Sequence, residues 1–242
     1  MFIMEVSNFL SKSAKIHSPY VSNASFIYGA STIGENSIID PSVIIGYPIR
    51  SKTKEIMLKR ESISNLDIHY DKKSSGTILG KKNHIRAFTT IYEGTELADH
   101  VETGTNVVIR EKCKIGLGSI IGSGTIIDGD VVIGKNARIQ SNNFIPPKIR
   151  LGDEVFLGPG VRFTNDLYPV SSRLIETHVK DGAVIGIAAV ILPGIVIGEN
   201  SVITAGSIVT KNVPKEAVMM GSPARQVMTR IEYDRKKNVY EQ

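Results

Sequence analysis

The 242-residue chain contains a single cysteine, Cys113, which excludes a disulfide framework. Its position among the small residues of a repeat points to a buried structural thiol, not a nucleophile. No sustained apolar run or basic leader is present at the start: MFIMEVSNFLSK sets Glu5 among its apolar residues, so neither an export signal nor a membrane span is expected, and the cytoplasm is the expected location. The formal net charge of +5 is modest and spread out. Without a long basic run or aromatic residues interleaved with basic ones, nucleic acid ranks well behind a small anion as the partner. Also missing are the two ordinary periods, 3.6 for a helix and 2 for a strand.

What is present is a period of six. From Leu79 to Phe163 every sixth residue is aliphatic or aromatic except Thr103, and the same beat runs from Val21 to Ile45 and from Val179 to Val209. A sustained period of six implies a solenoid of short flat faces and one elongated domain. The second place of each unit is often Gly, as at Gly116, Gly122 and Gly134, where a turning backbone gains from the lack of a Cβ. The fifth place is small or β-branched, as at Thr95, Val107, Cys113 and Ala137.

This pattern resembles the hexapeptide-repeat acyltransferases. The resemblance implies an all-β fold, a left-handed parallel β-helix in which three hexapeptides complete a triangular coil and residues eighteen apart stack. Handedness rests on the resemblance alone, since parallel crossovers are ordinarily right-handed. The repeats found correspond to roughly eight to nine coils, a prism about 40 Å long. The β-helix is expected over 1–214, interrupted by insertions at 47–78 and 166–178, followed at 215–242 by a turn and a short C-terminal helix that caps the open end. The first insertion reads as a polar surface excursion or a flap over a neighbouring site. The second, by resemblance, reaches an adjacent subunit and shapes an acceptor pocket, with Tyr168, Arg173 and His178 as its substrate contacts.

Residues 188–227 are similar to the terminal coils of CoA-dependent members, including the closing motif Gly221-Ser222-Pro223-Ala224-Arg225. The resemblance implies acetyl-CoA as donor, bound between neighbouring prisms of a homotrimer. Small residues at Gly186, Ala188, Ala205 and Gly206 would let a pantetheine arm approach the backbone, and Lys211 and Arg225 would face its phosphates. Residues 139–169 resemble nucleotide-linked amino-sugar N-acetyltransferases in their Q-x-N and F-T-N steps, which carries a catalytic role onto Asn142, Asn165 and the adjoining Asp166. The plain alternative for Asn142 is a corner residue, because Asn tolerates strained turns.

Two histidines common in the superfamily are missing. The T-x-T-H-P step of maltose and galactoside acetyltransferases reads here Thr164-Asn165-Asp166-Leu167-Tyr168-Pro169, and a T-G-H-N-V step reads Thr103-Gly104-Thr105-Asn106-Val107. The zinc site of the γ-type carbonic anhydrases, which share the β-helix, needs converging histidines. His84 and His100 miss the eighteen-residue stacking interval and no H-x-x-x-x-H pair exists, so no metal is expected. An alcohol attacking a thioester needs a positioned base, whereas an amino sugar supplies a partly neutral amine near pH 8. The expectation is therefore N-acetylation of a nucleotide-linked amino sugar, with Asn142 orienting the amine, a backbone N–H polarising the thioester carbonyl and the CoA thiolate taking the proton. Asp166 or His178 could assist. Sugar O-acetylation and a non-catalytic assembly subunit are the alternatives.

Overall fold

A computed structural model describes residues 8–58 and 65–242; the first part of the N-terminal segment weighed above for export lies outside them. Almost every strand is two or three residues long and pairs in parallel with the strand one coil away, as Leu97 does with Ile115 and Ile115 with Ile133. Three sheets of ten, nine and ten strands result, parallel except for the final pair. They form a left-handed parallel β-helix. We call its faces X, Y and Z in the order the chain visits them. Face X turns Ile27, Ile45, Ile91, Ile109 and Ile127 inward, face Y Ile33, Leu79, Leu97 and Ile115, and face Z Ile39, Ile85, Ile121 and Ile139, all buried.

Each beat residue is inward because a two-residue strand presents one side chain to each side, and the flanking corners restore the same phase every six residues. The corner residue three places before an inward one takes positive φ, for example Asn136 at 53°, Asn142 at 60° and Gly124 at 68°. Gly and Asn enter that region most readily. The small fifth-place residues fill the inner corners, and their hydroxyls satisfy carbonyls one coil on: Ser119 donates to the Gly134 carbonyl at 2.8 Å and Thr95 to that of Arg110 at 2.7 Å. Thr103, the one polar beat residue on this run, accepts at Oγ1 from the Arg86 N–H at 3.0 Å, so the buried hydroxyl is paired.

The prism is longer than the eight to nine coils read from the repeat. Face X carries ten rungs. The rungs missed are terminal ones: Phe9–Leu10 pairs with Phe26–Ile27 and Lys15–Ile16 with Thr32–Ile33, and at the other end Val213 bridges to Ile197. These end rungs bury less apolar surface, with Leu10 exposed, and so do not advertise the beat.

Both interruptions leave the same edge, the corner from face X to face Y. Stacking passes across them in register: Ile33 pairs with Leu79 and Ile45 with Ile91 around the first, Leu151 with Val179 and Phe163 with Ile191 around the second. The first insertion is not irregular. It forms helix α1 (Arg50–Leu58) and helix α2 (Leu66–Lys73), the latter capped by Asn65, whose side chain accepts from the Ile68 N–H. Tyr70 of α2 lies edge-on to Tyr28 and Tyr47, 5.9 and 5.3 Å between ring centroids, and the Tyr28 hydroxyl donates to Asp67 at 2.7 Å.

At the far end a strand, Ala217–Gly221, adds to face Z beside Val202–Ile203 and folds back antiparallel onto Ala224–Thr229. Helix α3 (Arg230–Tyr240) follows, opened by a reciprocal capping box between Thr229 and Glu232. Among the described residues no helix is long and apolar enough to cross a membrane.

Candidate functional site

The corner from face Z to face X is a vertical column of positive-φ residues: Phe88, Asn106, Gly124, Asn142, Gly160, Ala188 and Gly206. Its character changes along the prism. A methyl group on Gly124 would collide with Oδ1 of Asn142, whereas one on Gly160 or Gly206 would meet nothing within 4 Å. Above Asn142 the corner is therefore an open strip of bare backbone. The Gly221–Ala224 turn roofs it, with the Gly221 N–H donating to the Ser207 hydroxyl at 3.2 Å. Ala188, Ala205 and Gly206 are all exposed along this strip, and Arg225, opposite Met220 in the hairpin, follows the roof. The structure thus brings together Asn142, Ala188, Ala205, Gly206 and Arg225 along one edge.

Gly186 and Lys211 stand apart from that strip. A Cβ on Gly186 would lie 2.6 Å from the Ala205 amide nitrogen, so this glycine lets two coils stack closely. Lys211 follows Val209 at the opposite end of face X, about 16 Å of extended chain away from Gly206.

The remaining candidates occupy the corner from X to Y. Asn165 and Asp166 begin the second insertion, and Oδ1 of Asp166 is buried without a hydrogen-bond partner. Tyr168 is 80% exposed at the loop's tip, and the Arg173 N–H donates to the Ser171 hydroxyl. His178 is on face Y with Nε2 2.9 Å from Glu176, which also takes Arg150 Nε at 3.1 Å. Arg150 in turn reaches Asp130, whose carboxyl lies below the usual range because Lys148 bonds it first and Arg150 second. The width of face X separates this charged chain from Asn142. Within one chain the two groups of candidates form two sites, not one.

No histidine belongs to the Asn142 column. His84 outward on face Z pairs with Asp40 at 3.3 Å and His100 sits at a corner between Y and Z. Cys113 is fully buried, and burial pushes its thiol up to about 12, a poor nucleophile at neutral pH. No cluster of His, Cys, Asp and Glu suited to a metal ion occurs among the described residues. Asn143, beside Asn142, was not singled out from the sequence; its buried side chain donates to the Gln140 carbonyl beneath the strip.

No family model matches the chain. A putative acetyltransferase from Schizosaccharomyces pombe is 34% identical over 87 residues, covering 33% of this chain and 42% of that protein. Galactoside O-acetyltransferase from Escherichia coli is 37% identical over 100 residues, covering 38% and 48%. The chain spans less than half the length of the curated relatives it matches. Among solved structures, LpxA, a UDP-N-acetylglucosamine acyltransferase from Bacteroides fragilis, superposes with a TM-score of 0.68 at 16% identity, covering 90% of this chain and 77% of that one.

Proposed function

We propose that this left-handed β-helix, similar over part of its length to acetyltransferases, is an acetyl-CoA-dependent N-acetyltransferase acting on a nucleotide-linked amino sugar. The observation that carries the reading is the open strip from Gly160 to Gly206 under the Gly221–Ala224 turn. A long thioester needs a groove in which small side chains leave backbone amides within reach. One corner alone supplies half of it. A second prism alongside would supply the other wall, so the active form is a homotrimer with acetyl-CoA between neighbours. That arrangement also gives the Asp166–His178 loop something to do: it would approach the donor strip of an adjacent copy, the width of face X lying between it and the strip of its own chain.

The chemistry follows from what the strip contains. Asn142 offers an amide that can hold a substrate amine or hydroxyl but cannot accept a proton as a base. A neutral amine needs no base to begin its attack. Its lone pair forms the C–N bond at the thioester carbonyl, a backbone N–H of the corner stabilises the oxyanion, and collapse expels the CoA thiolate, which takes the proton the nitrogen sheds. Arg225 beside the roof is placed to meet phosphate.

The direct test is thermal unfolding with acetyl-CoA followed by turnover. Acetyl-CoA at a hundredfold excess over its Kd should stabilise the fold by about 2.7 kcal/mol. Thiol release should then follow addition of nucleotide-linked amino sugars and not of their hydroxyl analogues. Stabilisation without turnover on any amino sugar would refute the substrate class.

A further inference from the structure

We propose that the cavity between the helical insertion and the prism binds a nucleoside diphosphate, the handle of the acceptor sugar. The identification as the acceptor's handle rests on the function proposed above; the binding itself does not. The cavity, about 380 Å³, is lined by Tyr47, Pro48, Arg50, Thr53, Tyr92 and Arg110, a volume near the lower end of small-molecule sites.

Three features specify a planar anion. The first is a rigid aromatic wall, since the Tyr47 and Tyr92 rings meet edge to face at 5.2 Å and Tyr47 is braced from behind by Tyr70. The second is a flat cationic surface. The Arg110 guanidinium lies 5.8 Å over the Tyr92 ring and is locked by two carboxylates, Asp128 at 2.7 Å and Glu111 at 2.9 Å. Its charge is answered, so it offers a face for stacking, not a fork for phosphate. The third is the Arg50 guanidinium, which has no carboxylate partner among the described residues and is the uncompensated charge of the cavity. A base stacked toward Tyr92 and Arg110 with its diphosphate at Arg50 uses all three.

The walls are held before any ligand arrives. Glu93, buried at the foot of the insertion, accepts from the Ile49 N–H at 3.0 Å, the Ser75 N–H at 2.6 Å and the Lys52 ammonium at 2.6 Å, which ties both ends of the insertion to the prism. A preformed pocket loses little in ordering on binding. The cavity also lies on the X-to-Y corner, the same edge from which the Asp166–His178 loop departs, so one side of the molecule carries both departures from the repeat.

The test is calorimetric titration of the full chain, without acetyl-CoA, with UDP, GDP, uridine and inorganic pyrophosphate, repeated on Arg50→Ala and Arg50→Glu. Arg50 is exposed, so both variants should fold. The diphosphates should bind, uridine and pyrophosphate each at least about tenfold more weakly, and Arg50→Ala should weaken UDP by about tenfold or more, with Arg50→Glu worse. Equal UDP binding by all three proteins, no binding of either nucleotide, or pyrophosphate binding as tightly as UDP would overturn the site. Displacement of UDP by acetyl-CoA would overturn its assignment to the acceptor. UDP binding with no stabilisation by acetyl-CoA would support the cavity and defeat the acetyl-transfer reading instead.

Discussion

Lys52 and Glu93 meet at 2.6 Å across the base of the helical insertion, with the glutamate side chain only 4% exposed. Burial by itself would raise the Glu93 pKa, but Lys52 and the Ile49 and Ser75 donors outweigh it and hold the carboxyl below its ordinary value. Replacement by Ala leaves those donors unpaired and should cost about 1–3 kcal/mol, read as a lower melting temperature and faster hydrogen exchange across residues 46–76. Because the folded-state pKa is depressed, the stabilisation is complete above the unfolded glutamate value of about 4.3 and is lost as pH falls below it. The wild-type protein should thus lose more stability between pH 5 and pH 3 than Glu93→Gln does. Equal acid sensitivity would mean the carboxylate carries no such weight.

Ile121 sits fully buried between Thr103 and Ile139 in the stacked interior. Ile121→Asp places a carboxylate among aliphatic layers with no partner, and the loss should exceed about 4 kcal/mol. The expected result is an insoluble or unfolded chain by circular dichroism. Ile121→Val, which removes one methylene, should cost only about 1 kcal/mol.

The interior was readable because its period is strict: one inward residue in six needs no knowledge of tertiary contacts. The insertion was not readable as helices because α1 and α2 are short and mostly polar, and their order comes from the docking of Tyr70 and Asp67 against Tyr28, contacts some forty residues away in the chain. The open strip was partly readable. Small residues marked Ala188, Ala205 and Gly206, yet Gly186 has the same signature and serves coil packing, since composition cannot tell a methyl group's worth of solvent from the next coil's backbone. Lys211 was expected beside Arg225 at the phosphates, and five extended residues from Gly206 are enough to carry it to another corner.

Ala205→Leu should raise the KM for acetyl-CoA about tenfold or more with little change in melting temperature. Ala205 is exposed on the open strip, so added bulk meets the pantetheine before it meets the core. Gly206→Leu is a poorer probe because its φ of 66° would strain any side chain. Ala205→Leu with unaltered acetyl-CoA kinetics would move the donor site elsewhere.

Asn142 tests the mechanism, and its backbone dictates how. At φ 60°, Asn142→Ala adds a conformational penalty of about 1 kcal/mol to the loss of the amide, so Asn142→Gly is the cleaner variant: it keeps the corner and removes only the side chain. If the amide holds the substrate amine, Asn142→Gly should lower kcat/KM by about a hundredfold while leaving the melting temperature within a few degrees. His84→Ala, His100→Ala and His178→Ala should each change it by less than about fivefold, since the base-free route asks no proton transfer of any of the three. The wild-type kcat/KM should rise with pH along the ionisation of the substrate amine, with no enzyme group limiting it from below. A histidine variant that loses several orders of magnitude, or efficient acetylation of the hydroxyl analogue, would overturn the base-free route and put sugar O-acetylation in its place.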